Sequence, residues 1–84
     1  MYRFKYFKGD DKKMTAKEMF EKLGYEYKED YKECLFRYVN YNENPYVYIY
    51  FYKDKTIEIG TDYSLPYKVL RAINQQVKEL GWYE

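Results

Sequence analysis

The clearest pattern in the chain runs from Tyr46 to Tyr52, where tyrosines alternate with apolar residues. A period of two is the period of side chains on a β-strand. One side of this strand carries three apolar residues, Val47, Ile49 and Phe51. The other side carries four tyrosines, Tyr46, Tyr48, Tyr50 and Tyr52, which we call the tyrosine row. We predict that the apolar side faces the core and that the tyrosine row points the other way.

Shorter segments of similar pattern predict the rest of a sheet. Residues 32–40 and 56–60 are expected to be the neighbouring strands, because an Asn-rich turn and a tight link join them to the tyrosine strand. Such short links produce an antiparallel meander. Residues 25–28 predict a short additional strand, and residues 2–8 predict one at the N terminus. Along residues 32–40, alternation is expected to put Cys34 on the side opposite Arg37.

Two segments have apolar residues at helical spacing. The first is expected to begin after Thr15, with Glu18 completing a capping box, and to end at Gly24. The second is expected to begin near Pro66, with the proline in its first turn, and to end at Gly81. Its predicted core side is made of five apolar residues, Val69, Leu70, Ile73, Val77 and Leu80.

The elements follow one another in the order β-α-β-β-β-α. This order predicts an α+β fold, in which a small antiparallel sheet of three to four strands packs two helices on one face. Ile57 and Ile59 are expected to join the apolar residues of the tyrosine strand on that face. The 84 residues are enough for one domain, residues 1–84, and no linker divides them.

Composition and charge restrict the location and the partners. The net charge of +1 provides no global field for nucleic acid or membrane, although residues 1–17 are locally basic. The single cysteine excludes an internal disulfide, and no apolar run approaches the roughly 20 residues that span a bilayer. No signal peptide is evident at the N terminus. We therefore expect a cytoplasmic protein of the host cell, without membrane association.

The sequence offers no catalytic or metal-binding signature. It contains no histidine, which removes the commonest general base and the Ser-His and Cys-His pairs. Cys34 lies within a predicted strand, where most cysteines are packing groups. No Cys/His cluster, calcium loop or phosphate-binding glycine motif is present. We predict a protein that is not an enzyme and has no cofactor or metal.

Two features remain as candidate binding sites. The tyrosine row exceeds what cross-strand aromatic pairing requires, and exposed tyrosines are enriched at protein interfaces. Three alternatives remain for what covers the tyrosine row: a partner protein, a second copy of the chain or the N-terminal arm. The arm itself interleaves aromatic residues with Arg3 and Lys5. These charges are typical of an edge strand protected from aggregation, and also of a single-strand nucleic-acid binder.

Residues 14–26 and 70–82, each a helix that ends in a Leu-Gly-aromatic sequence, lie on either side of a strand-rich segment. This arrangement resembles small uncharacterised proteins encoded in phages and prophages of Gram-positive bacteria. The resemblance covers residues 14–82 and implies an accessory role without known catalytic residues. The predicted function is a non-enzymatic module that binds a host or phage protein, or itself, through the tyrosine row, as a phage accessory or anti-defence protein. The alternative is a single-stranded nucleic-acid binder that uses the same row and the basic arm.

Overall fold

The computed structural model describes residues 14–82. The strand predicted at residues 2–8, together with the candidate residues Arg3 and Lys5, lies outside the described residues. Two helices, α1 (Ala16–Lys22) and α2 (Tyr67–Leu80), enclose four strands in sequence. The strands are β1 (Glu26–Lys28), β2 (Cys34–Asn40), β3 (Val47–Tyr52) and β4 (Ile57–Gly60).

The four strands form one antiparallel sheet in the order β1-β2-β3-β4, so that β3 is central and β4 is at an edge. Because consecutive strands are neighbours, the sheet is the meander that the short links predict. Residues from both helices join one side of the sheet in a single core cluster. The predicted α+β fold, with two helices on one face of a small antiparallel sheet, is therefore confirmed.

The ends of both helices follow the predicted signals. Thr15 Oγ1 accepts a hydrogen bond from Glu18 N at 3.1 Å, and Glu18 Oε1 accepts one from Thr15 N at 3.0 Å, which completes the capping box. At the C terminus of α1, Gly24 has φ +95° and Phe20 packs edge-on against Tyr25 at 5.5 Å. Gly81 ends α2 with φ +72°. Pro66 is the N-cap of α2 rather than a residue of its first turn.

The core is built around aromatic rings from both layers. Tyr38 of β2 stacks on Phe20 of α1, with ring centroids 3.9 Å apart, and is only 1% exposed. Its hydroxyl donates to Gln76 Oε1 at 2.6 Å, so that the buried amide of α2 is hydrogen-bonded. Ile49 and Phe51 of β3 are fully buried, as their side of the tyrosine strand predicts.

Two predicted core positions are wrong. Leu70 is 59% exposed, because Val69, Ala72 and Gln76 provide the inward surface of α2 in its place. Ile59 is on the helix side of β4 but 45% exposed, since it lies at the open edge of the sheet.

The predicted alternation of β2 also fails at one end. A register shift between Cys34 and Phe36 pairs Phe36 with Phe51 but brings Cys34 opposite Tyr52. A β-bulge has this effect, because the extra residue changes which side the following residues occupy. Cys34 is therefore on the same side as the tyrosine row, and it is buried there.

Candidate binding surface

The tyrosine row is present as an uninterrupted line of rings along β3 and the residue before it, Tyr46. Centroid distances between successive rings, from Tyr46 to Tyr52, are 6.2, 4.8 and 5.9 Å. The planes are tilted by 48° to 58° relative to one another, which is within the range of favourable aromatic contacts. All four predicted tyrosines are therefore brought together on one side of the sheet.

The row is not uniformly open to solvent. Only Tyr46 is exposed, at 48%, whereas the other three tyrosines of the row are half-buried. Val39, which is paired with Tyr48, is fully buried on this side of the sheet. Within the row, Tyr46 is therefore the most accessible ring, and the other three are partly covered.

At the other end, the tyrosine hydroxyls are held by charged side chains of the same chain. Tyr52 donates a hydrogen bond to Glu58 Oε1 on β4 at 2.5 Å. This bond raises the pKa of Tyr52 above its usual value, because ionisation would place a phenolate beside a carboxylate. Tyr52 and Glu58 therefore fix the position of each other across the β3–β4 pair.

Tyr50 is part of a small cluster around Arg37 of β2. The guanidinium Cζ lies 4.7 Å from the ring centroid of Tyr31 and 5.6 Å from that of Tyr50. The two rings contact each other edge-to-face at 5.3 Å. Asp30 completes the cluster, accepting bonds from Arg37 Nε and Nη2 at 2.8 Å each. This planar two-point contact is the arrangement in which Arg pairs best with a carboxylate.

The cluster shifts the ionisation of its members. The hydrogen bond from Arg37 lowers the pKa of Asp30, and the same bond raises the pKa of the guanidinium. Burial, together with the neighbouring Tyr31, raises the pKa of Tyr50 to about 12. The side chain of Arg37 is only 12% exposed. Its charge is therefore committed to Asp30 and the two rings, and Arg37 is a structural residue of the tyrosine side.

The exposed end of the row continues into the β2–β3 turn. Tyr41 is 50% exposed, and its ring lies 5.5 Å from that of Tyr46. Lys28 Nζ of β1 is 5.7 Å from the Tyr41 centroid, at the outer limit of a cation-π contact. Tyr63 donates a hydrogen bond to the carbonyl of Asn44 and so attaches the turn to the loop before α2. We call Tyr41 and Tyr46 the open aromatic end.

Sequence patterns alone did not single out Tyr41, Tyr31 and Arg37 as part of this surface. The strand register points to Tyr41. Because Asn40 of β2 pairs with Val47 of β3, the next pair toward the turn is Tyr41 with Tyr46. Arg37 and Tyr31 had no comparable signal. Their contact depends on the path of the loop between β1 and β2.

Other kinds of site receive no support from residues 14–82. Within that range, no group of three or more potential metal ligands is close together. Neither helix of the described part is long and apolar enough to cross a membrane. Burial raises the pKa of the Cys34 thiol, which disfavours the thiolate needed for nucleophilic chemistry.

Comparisons with known proteins leave the family open: no protein-family model, curated protein or solved structure matches the chain. The resemblance to phage and prophage proteins therefore stays a prediction.

Proposed function

We propose that this protein is a non-enzymatic protein-binding module, and that the open aromatic end is its contact surface. The observation that carries the proposal is the division of the tyrosine row. Glu58 and Arg37 hold the hydroxyls of Tyr52 and Tyr50. Tyr31 beside them is 49% exposed, but its ring is occupied by contacts with Arg37 and Tyr50. Tyr46 and Tyr41 instead project side by side, with about half of each residue accessible.

Tyrosine suits this role for physical reasons. Its ring provides a large apolar contact area with few rotatable bonds, and its hydroxyl gives a directional hydrogen bond. Adjacent tyrosines that already contact each other lose little conformational freedom when a partner covers them. A host or phage protein, or a second copy of this chain, is the proposed occupant, in keeping with the predicted phage accessory or anti-defence role.

The nucleic-acid alternative has less support. Stacking platforms for single strands combine exposed ring faces with nearby unpaired cations. Here the charge of Arg37 is neutralised by Asp30, and Tyr52 is bonded to Glu58, which places two carboxylates on the side that bases would occupy. Of the residues that the structure describes, Lys28 is the one that brings a positive charge to the open aromatic end.

The test compares two surface variants in affinity capture from the native host and in sedimentation of the purified protein. We expect Tyr41→Ser/Tyr46→Ser to remain folded but to lose the captured protein or the dimer. Tyr67→Ser is the control, because Tyr67 is 65% exposed on α2, away from the row. Identical captured proteins and identical sedimentation for all three chains would contradict the proposal.

A further inference from the structure

A second surface lies on the opposite side of the molecule, in the groove between the outer sides of α1 and α2. The groove has two lobes, of about 350 and 550 Å³, which share Met19 and Arg71. Met14 and Leu23 line the first lobe, so that its floor is apolar. Met19 and Leu23 are only partly buried although they pack against the core. The groove is therefore an apolar depression that the fold leaves open.

The charged side chains that line the two lobes are basic. Lys22 and Lys68 border the first lobe, Lys78 borders the second, and Arg71 stands where the lobes meet. Among the described residues that line the two lobes, none is acidic. All four basic residues are exposed. Such a rim attracts an anionic partner and disfavours a cationic one.

Two nearby carboxylates are directed to the start of α1, whereas Glu21 is exposed and lines an adjoining hollow with Met14 and Lys22. Glu79 of α2 accepts hydrogen bonds from Ala16 N and from Gln75 Nε2, both at 2.9 Å. Glu18 is part of the capping box. The bond between Glu79 and Ala16 joins the two helices beside the groove, and it engages the carboxylate of Glu79.

We propose that the groove binds an acidic amphipathic helix of a partner protein. Its apolar stripe would contact Met14, Met19 and Leu23, and its carboxylates would pair with the four basic residues of the rim. Methionine is a flexible, polarizable side chain that recurs on surfaces that accept helices. The arm of this chain is not the occupant, because residues 1–13 carry five basic and two acidic side chains. This surface is separate from the tyrosine row, and the two proposals can fail independently.

A nucleic acid is the other anionic class of partner, and the apolar floor argues against it. Phosphates would use the basic rim but gain nothing from methionine side chains. A single-stranded oligonucleotide therefore belongs in the test as a competing probe.

The experiment follows methionine methyl signals of the full chain, labelled with ¹³C at the methyl group. The chain contains three methionines, of which Met14 and Met19 line the groove. The probe is a synthetic helix as long as α2, 14 residues, with leucines at i, i+3, i+4 and i+7 and glutamate on the other side. We expect the Met14 and Met19 signals to shift on titration, with an affinity that falls as salt increases.

Charge reversal on the groove provides the decisive comparison. Arg71→Glu/Lys78→Glu should weaken binding of the acidic helix by about tenfold or more. Lys32→Glu/Lys53→Glu changes the net charge equally, at exposed residues of a separate hollow, and should alter the affinity less than about twofold. Three results would overturn the proposal. These are equal losses of affinity in both variants, Met14 and Met19 signals that do not shift at about 1 mM peptide, and signals that shift only with the oligonucleotide. A peptide with the same composition but scattered leucines should bind far more weakly, and equal binding would also contradict it.

Discussion

Tyr48 lies with its ring directly over Gly60 on the neighbouring strand, so that a Cβ placed on Gly60 would come 2.0 Å from Tyr48 Cζ. The two residues are paired across β3 and β4. The space beside the glycine is thus part of the packing of the row, and it explains how a large ring in mid-strand becomes half-buried.

This relationship predicts a coupled pair of mutations. Gly60→Ala should destabilise the protein by about 1–2 kcal/mol, because the ring must leave its site. In the Tyr48→Ala background the same change should be neutral or slightly stabilising, since alanine suits a strand better than glycine does. Chemical denaturation of the four chains measures the coupling. Additive effects would show that the ring and the glycine do not depend on each other.

The buried hydrogen bond between Tyr38 and Gln76 gives a second prediction. Tyr38→Phe should cost about 1–3 kcal/mol, because it leaves Gln76 Oε1 buried without its donor. Tyr38→Phe/Gln76→Met should recover part of this loss, since both polar groups are then absent. The free energy of unfolding from urea titration decides between the outcomes. If the double variant is less stable than Tyr38→Phe alone, the bond is not the source of the cost.

The β3–β4 turn contains a residue in an unfavourable backbone conformation. Lys55 has φ 70°, the region that glycine tolerates and other residues avoid. We expect Lys55→Gly to stabilise the protein by about 0.5–1 kcal/mol. Lys53→Gly is the matched control in the same turn, where φ is not positive, and should be neutral or destabilising. A thermal melt that ranks the two variants in the opposite order would contradict this account.

The Asp30–Arg37 pair predicts how stability depends on pH. The pKa of Asp30 is lowered from 3.8 by its bond to Arg37, so the unfolded chain takes up this proton at a higher pH than the folded one. The stabilisation is therefore present above pH 3.8 and is lost as the pH falls through the folded-state pKa. Melting temperatures between pH 5 and pH 2.5 should fall more steeply for the wild type than for Asp30→Asn. Parallel curves would rule out a contribution from this pair.

Much of the fold follows from local signals in the sequence. The period of two in residues 46–52 identified the central strand and its buried side, and Gly24 and Gly81 marked where the helices end. Each signal depends on a few neighbouring residues, which explains its success. The open edge that exposes Ile59 and the bulge that turns Cys34 to the tyrosine side depend on how whole strands pair, and alternation within one strand does not contain that information.

The position of the candidate site was predictable from the sequence, but the exposure of its individual tyrosines was not. Alternation placed four tyrosines on one side, but it did not indicate which of them the chain itself would cover. That depends on distant residues: Gly60 beneath Tyr48, Glu58 beside Tyr52 and Arg37 beside Tyr50. The same limit explains Leu70, whose helical spacing fitted the core although Ala72 and Gln76 occupy the inward side of α2.

The central claim is that a protein contacts the open aromatic end, and site-specific photo-crosslinking tests it most directly. A benzophenone amino acid in place of Tyr46, in protein produced in its native host, should give a discrete adduct whose mass identifies a partner or a second copy. The same group in place of Tyr67, a more exposed tyrosine on α2, should not give that adduct. No adduct from position 46, or the same adduct from both positions, would contradict the claim.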